Sequence, residues 1–298
     1  MERVTLARVL HVIVNPVAGR GLTLRALPGL RALLDARGIE HRLLLTAAPG
    51  DATRLARALP GIEPVAAVGG DGTLHEVLQA VSGAQRPVGV IPLGSGDDFA
   101  RAIGLKPLDY AAAVAVIERG RTRRLDVAVV DGQPCACGFG AGLDAQVTTE
   151  ALHAPRFLKG PGRYAWGIFK AIAGQRQSWA RVTADGQVVH DGPTLLVAAM
   201  NTRSYGGGLR IAPQADPGDG LLDLVIGGQF NRAGTLAILP RLVAGAHLTH
   251  PQVRLLRARE VRVQWREPTP GQADGEMLPL AIDYRVSIQP QAFSVYAP

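Results

Sequence analysis

The sequence predicts an α/β domain on a parallel sheet, followed by a mostly antiparallel β-sandwich. Three observations carry this. Up to about residue 123, apolar runs of strand length alternate with helix-like stretches. Beyond Arg123 the strand-like runs follow one another, with the hairpin dipeptide Asp-Gly at 131–132 and 185–186. A chain of 298 residues also suits two domains. The expected domains are 1–123 and 124–288.

In the first domain, strands are expected at Val9–Val14, His41–Leu45, Pro64–Val68 and Val88–Ile91. Each is a short apolar run ending in Pro, Gly or a polar residue. Helices are expected over Leu24–Arg37, Asp51–Leu59 (Asp51 as N-cap), Leu74–Val81 and Asp97–Ile103. Ligands of such sheets sit beyond the carboxyl ends of the strands. In the second domain, strands are expected at Leu125–Val130, Pro134–Phe139, Ala180–Ala184, Gln187–His190, Leu195–Met200, Leu221–Ile226, Glu260–Trp265 and Leu280–Ile288, with a helix over Arg232–Ala244.

Composition narrows the function classes. Hydrophobic residues make up 47%, which excludes a disordered chain. The net charge of +7 is carried almost wholly by arginine. Such a surface suits nucleic acid, anionic lipid or a phosphorylated ligand, and codon bias explains it equally well. Two cysteines, Cys135 and Cys137, exclude a disulfide framework and do not complete a zinc site. No signal-peptide pattern and no apolar run of 18 residues occurs, so a cytoplasmic protein meeting a membrane from its side is expected.

No Walker P-loop, protein-kinase set, Rossmann fingerprint or nucleophile elbow is present. What stands at the strand ends is different. Gly69-Gly70-Asp71-Gly72-Thr73 lies between a strand and a helix. Glycines let backbone approach a ligand, and a helix start offers unpaired N–H groups to phosphate. Asp71 beside phosphates implies a bridging cation or a proton acceptor; the competing reading is a tight turn with Asp71 as helix cap. Gly94-Ser95-Gly96-Asp97-Asp98 repeats the pattern one βα unit later, and Asn15-Pro16 and Arg20 follow the first strand. Asn15 could bond a base or ribose, and Arg20 a phosphate. Asp274-Gly275-Glu276 offers two more acids, read either as a solvated turn or as metal ligand and proton acceptor.

This set resembles the diacylglycerol-kinase catalytic family, which includes bacterial soluble lipid kinases and sphingosine and ceramide kinases. Gly142-Leu143-Asp144-Ala145, Tyr205-Gly206-Gly207-Gly208, Ile211-Ala212-Pro213 and Asp219-Gly220-Leu221-Leu222-Asp223 match in order, so the resemblance spans nearly the whole chain. It implies a nucleotide domain similar to those of NAD kinases and phosphofructokinases, completed by 289–298, and a cleft between the domains for ATP. It implies nucleotide contacts from Asn15, Pro16, Arg20, Thr46, Gly70, Asp71, Gly72, Thr73, Glu76, Gly94, Ser95, Gly96 and Asp97. It implies catalytic roles for Asp71, Asp274 and Glu276, with Mg²⁺ on Asp71 and Asp274. A structural Mg²⁺ on Asp216, Asp219 and Leu221 and a lipid-acceptor contact at Asp144 complete the set; a turn residue and an N-cap are the alternatives for Asp219 and Asp144.

The chain departs from the family pattern at Ser95, where relatives usually carry Thr, at Asp97, usually Asn, and at Gly138, often Asn; Ser95 keeps the hydroxyl. The function implied is ATP- and Mg²⁺-dependent phosphorylation of a lipid hydroxyl, in phospholipid metabolism. A non-catalytic nucleotide or lipid binder and an NAD-kinase-like soluble kinase are the alternatives. Between Arg156 and Arg181, Arg156, Lys159, Arg163, Lys170 and Arg176 interleave with Tyr164, Trp166, Phe169 and Trp179. That pattern suits an anionic lipid surface, single-stranded nucleic acid, or a helix with its aromatics in the core. The resemblance favours lipid reached by peripheral association and no nucleic-acid partner; a homodimer is allowed for.

Overall fold

The computed structural model describes residues 2–3, 9–155, 157–158 and 161–298. The chain divides into two compact units. Unit 1 comprises Met1–Val127, Pro217–Asp219 and Gln289–Pro298; unit 2 comprises Ala128–Asp216 and Gly220–Ile288. The division therefore falls at 127 rather than 123, and a three-residue piece from the later chain joins unit 1. The amide of Asp126 donates to Pro217 O at 2.7 Å, which ties that piece to unit 1.

Unit 1 opens with β1 (Glu2–Arg3), which pairs antiparallel with β6 (Arg121–Val130). Its main sheet is parallel, in the order β3 (His41–Leu45), β2 (Leu10–Val14), β4 (Val65–Gly69), β5 (Val88–Pro92). Every residue of β2, β4 and β5 is buried, as in parallel sheets covered on both faces. The helices are α1 (Ala18–Ala36), α2 (Asp51–Arg57), α3 (Asp71–Val81), α4 (Asp98–Ala102) and α5 (Tyr110–Glu118). Within α1, Gly19, Arg20 and Gly21 all have left-handed φ, so the regular helix begins after them. Val295, on the last strand, lies parallel beside Val88 of β5.

Unit 2 is a sandwich of two antiparallel layers. One layer orders β13 (Val253–Ala258), β12 (Leu222–Gly227), β11 (Leu196–Met200), β8 (Gly138–Gly142), β15 (Gly271–Ala273) and β16 (Glu276–Met277). The other joins β10 (Gln187–Thr194), β9 (Ser178–Ala184), β14 (Glu260–Thr269) and the first part of β17 (Ala281–Tyr296). Phe139, Val197 and Leu224 from one layer share a core with Val182, Val263 and Tyr284 from the other. The Phe139 and Tyr284 rings sit 5.1 Å apart. Three helices, α6 (Leu143–Leu152), α7 (Pro161–Ala173) and α8 (Arg232–Val243), are inserted.

One expected strand breaks. Instead of running through Pro134–Phe139, the chain makes β7 (Gln133–Cys135), leaves the ladder at Ala136-Cys137, and resumes as β8. The backbone amides of 136, 137 and 138 are taken by a side chain, described below, and not by a strand. Both cysteines are buried thiols.

Candidate active site

Three loops meet at the carboxyl end of the unit 1 sheet. Asn15 follows β2, and its amide nitrogen donates to Thr73 Oγ1 at 3.2 Å while its own Oδ1 receives Val17 N–H. Gly69 O accepts Leu93 N–H at 2.8 Å. Gly70 and Gly94 bring the two glycine loops into backbone contact, since a Cβ on Gly94 would lie 2.2 Å from Gly70 Cα. A Cβ on Gly19 would lie 2.2 Å from Leu93 O, so the post-β2 loop presses on the same point. Glycine is required here for closeness. The resulting cradle exposes Ser95 and Arg20 and leaves Gly70, Gly72, Gly94 and Gly96 half-buried. Helix α3 starts at Asp71 with Gly70 as N-cap and no side-chain cap, which keeps its first turn open to an anion.

The start of α4 is different. Asp71 Oδ2 accepts Asp98 N–H and Asp71 Oδ1 accepts Phe99 N–H, both at 3.1 Å. Asp71 thus caps the helix of the neighbouring loop, and the two loops are cross-linked by one carboxylate. Asp97 is left-handed at φ 55° and buried; its Oδ1 accepts Gly94 N–H at 3.0 Å. Burial, then the charge of Asp71, pushes the Asp97 carboxyl up to about 7. Its Oδ2 is buried with no hydrogen-bond partner among the described residues. A second carboxylate oxygen beside Asp71, short of a donor, fits a hard divalent cation held by one or two carboxylates. No group of three or more His, Cys, Asp or Glu among the described residues forms a closed metal cage.

Other predicted contacts are placed as follows. Thr46 directly follows β3, its N–H donating to the carbonyl of Val14, the last residue of β2 before Asn15. Pro16 is half-buried. Glu76 takes the amide of Ala52 at 3.0 Å and so holds the start of α2. Asp216 and Asp219 are exposed and Leu221 is half-buried; Asp219 belongs to unit 1, the other two to unit 2.

In unit 2, Asp274-Gly275 joins β15 to β16 as a tight hairpin turn, both residues left-handed. Asp131-Gly132 and Asp185-Gly186 have the same φ signs. All three aspartates use their carboxylates alike. Asp131 accepts Arg285 N–H, and Asp185 accepts the N–H groups of Arg259 and Glu260. Asp274 accepts Ala136 N–H (2.7 Å), Cys137 N–H (2.7 Å) and Gly138 N–H (3.2 Å). That is the side chain that breaks the expected strand. Glu276 stands exposed on β16.

Asp144 begins α6. Its carboxylate is turned inward, with Oδ1 shut from solvent and unpartnered among the described residues. Burial pushes its carboxyl up to about 6 against bonds from Ala145, Gln272 and Tyr205. The folded state therefore holds the proton more tightly than the unfolded chain. The stabilisation this brings is full below about pH 4 and is lost as pH rises through about 6. Asp144→Asn is expected to raise the melting temperature at pH 8 by several degrees, from about 2–3 kcal/mol. At pH 4.5 most of that gain should vanish. An equal gain at both pH values would disprove the assignment.

Residues 9–130 match the model of the diacylglycerol kinase catalytic domain. Residues 138–297 match that of the YegS C-terminal NAD kinase beta sandwich-like domain. A Mycobacterium tuberculosis protein named diacylglycerol kinase is 33% identical over 96% of this chain and 94% of its own. The chain belongs to the diacylglycerol kinase catalytic-domain family. The structure of a diacylglycerol kinase from Bacillus anthracis superposes with a TM-score of 0.74 at 20% identity, covering 98% of this chain and 97% of that one. An Archaeoglobus fulgidus NAD kinase solved with ATP gives 0.55 at 11% identity, covering 97% and 93%. These two likenesses establish the fold, an NAD-kinase-like one. Around Asp144 in this diacylglycerol kinase family chain lie Gly140 and Gln272, which carry no sequence signal, and Tyr205, which the sequence marks only as part of a family motif. The register of β15 against β8 sets Gln272 opposite Gly140.

Proposed function

We propose that this chain is an ATP- and Mg²⁺-dependent lipid kinase that phosphorylates a hydroxyl of a diacylglycerol-like lipid. The observation that carries this is the pair of glycine loops in backbone contact at Gly70 and Gly94, beside the uncapped start of α3, in a chain of this family. That cradle suits the phosphates of a nucleotide. Asp71 and Asp97 are the carboxylates that would hold Mg²⁺, which when bound offsets charge on the β- and γ-phosphates. Glu276 is assigned the proton. As the lipid oxygen bonds to the γ-phosphorus, the bond from that phosphorus to the β–γ bridging oxygen breaks. The hydroxyl proton passes to the Glu276 carboxylate, and ADP leaves. Asp274, given its three amide bonds, is assigned to holding the 136–138 backbone.

Access to a lipid is proposed to be peripheral. No helix among the described residues is long and apolar enough to cross a membrane. Helix α7 carries Phe169 at 65% exposure with Tyr164 also exposed, and Phe157 just before it is 79% exposed. Lys170 lies over the Trp166 ring. Aromatic groups beside a cation suit the headgroup level of a bilayer. Arg163 instead closes the end of α6 through the carbonyls of Ala151 and Leu152. Arg156 and Lys159 lie outside the described residues.

Phosphate transfer from labelled ATP with Mg²⁺ to a lipid panel in mixed micelles, with NAD as a soluble acceptor, tests the reading. A labelled lipid supports it and names the acceptor. Label on NAD, or ATP binding without transfer to anything, overturns it. The division of labour between the two acids is tested alongside. Glu276→Gln is expected to lower kcat by about 10²–10⁴-fold with an unchanged melting temperature. Asp274→Ala should cost about 2–4 kcal/mol of stability, as a carboxylate lost from several buried amides does. A stable, inactive Asp274→Ala protein would return Asp274 to the chemistry.

A further inference from the structure

Resting on the lipid-kinase reading, a second set of side chains in unit 2 bears on how Glu276 is held. Gln272 lies on β15, opposite Gly140 of β8 on one side and Met277 of β16 on the other. It is buried. Its Oε1 accepts Gly275 N–H at 2.7 Å, in the turn between Asp274 and Glu276. That bond fixes the amide orientation, because only the oxygen can accept. The Nε2 end must then face the other way, where it meets Asp144 Oδ2 at 3.5 Å. Tyr205 supplies a further side-chain hydrogen bond to the same carboxylate.

The space for this pair is built into the backbone. A Cβ on Gly140 would lie 1.7 Å from Asp144 Oδ2 and 2.9 Å from Gln272 Nε2. No other residue type fits at 140 while the pair stays in place. A second contact runs parallel to the first: Thr149 Oγ1 of α6, which donates to Ala145 O at 2.9 Å, lies 3.7 Å from Met277 Sδ. Helix α6 therefore grips the β15–β16 hairpin on both strands, one before and one after the turn. Glu276 sits between these two grips.

We propose that Gln272 is a positioning residue for Glu276, and that Asp144 acts through Gln272 on the turn rather than by touching the lipid. The inward-facing carboxylate orients the amide, the amide holds Gly275 N–H, and the turn sets the direction of the exposed Glu276. A carboxylate closed to solvent at Oδ1 is poorly placed to meet an acceptor headgroup, and well placed to anchor an amide.

The test uses the full chain, with kcat, KM for lipid, KM for ATP and melting temperature measured for each protein. Wild type comes first. If it phosphorylates no lipid, the lipid-kinase reading has failed and this inference falls with it. Given an active wild type, Gln272→Leu is expected to lower kcat by about 10–100-fold while KM for ATP stays within about twofold. Gln272→Glu keeps an acceptor for Gly275 N–H but sets two carboxylates face to face, and should also be slow. Adding Asp144→Asn to Gln272→Glu exchanges the amide and the carboxylate. The double variant should recover to within about threefold of wild type. Deuterium uptake at residues 271–277 should rise in Gln272→Leu and return to normal in the exchanged pair. A Gln272→Leu protein with wild-type kcat overturns the proposal. So does a double variant no faster than Gln272→Glu, even where the leucine variant does not fold.

Discussion

Replacing Asp71 by Asn is expected to lower turnover by about 10²–10³-fold or more, with a melting temperature within a few degrees of wild type. The two outcomes separate because Asp71 has two tasks. Its carboxylate receives the Asp98 and Phe99 amides at the start of α4. It also supplies negative charge next to the buried Asp97. Asn keeps an acceptor oxygen for one of the amides and removes the charge. Asp71→Ala removes both and should cost a further ~1–2 kcal/mol, the usual loss for a cap. The measurement is kcat at saturating ATP and Mg²⁺ beside a thermal melt. An Asn variant keeping more than about a tenth of wild-type turnover would make Asp71 a structural cap alone.

Gly94→Ala is expected to damage both stability and nucleotide binding. The added methyl would lie 2.2 Å from Gly70 Cα, 2.6 Å from Asp97 Oδ1 and 2.9 Å from Gly70 N. Two of these three are backbone atoms, which cannot rotate away as a flexible side chain can. The loops would have to part, straining the Asp71 cross-link and the bond from Leu93 N–H to Gly69 O. A loss above about 2–3 kcal/mol is expected, as for severe overpacking. Nucleotide binding should weaken by at least about 100-fold, since the cradle is the contact between the loops. Gly162→Ala on α7 is the control; its methyl meets nothing nearer than 3.8 Å. Isothermal titration with ATP and a melt of both proteins decide the matter. Wild-type affinity in Gly94→Ala would mean that the loop contact does not serve the nucleotide.

Much of this was legible in the sequence, and the reasons are local. A run such as Leu10–Val14 has one stable arrangement, buried on both faces of a parallel sheet. Glycine clusters at strand ends point to backbone approaching a ligand; the approach seen between Gly70 and Gly94 is of one loop to the other. What stayed hidden was the partner of each carboxylate. Asp71 reads as a cap for the helix it begins, yet it caps α4 of the next loop. The sequence equally offers a continuous strand over Pro134–Phe139. It breaks because Asp274, far along the chain, takes the amides that a ladder would use. Asp-Gly-Glu reads as a special motif, yet its first two residues make the same turn as Asp131-Gly132 and Asp185-Gly186. Gln272 carries no sequence signal, because an isolated glutamine gains meaning only from strand register.

The division of the chain also bears on how the protein is made. Unit 1 is assembled from three separate stretches, the last being Gln289–Pro298, whose Val295 lies beside Val88. A ribosome delivers Met1–Val127 long before that stretch. The nascent parallel sheet must therefore wait with the flank of β5 lacking its last neighbour while the whole of unit 2 is synthesised. Exposed sheet edges of that kind are where chains stick to one another. Completion of the nucleotide unit is thus a late event, and removal of the last ten residues should harm the domain that was translated first.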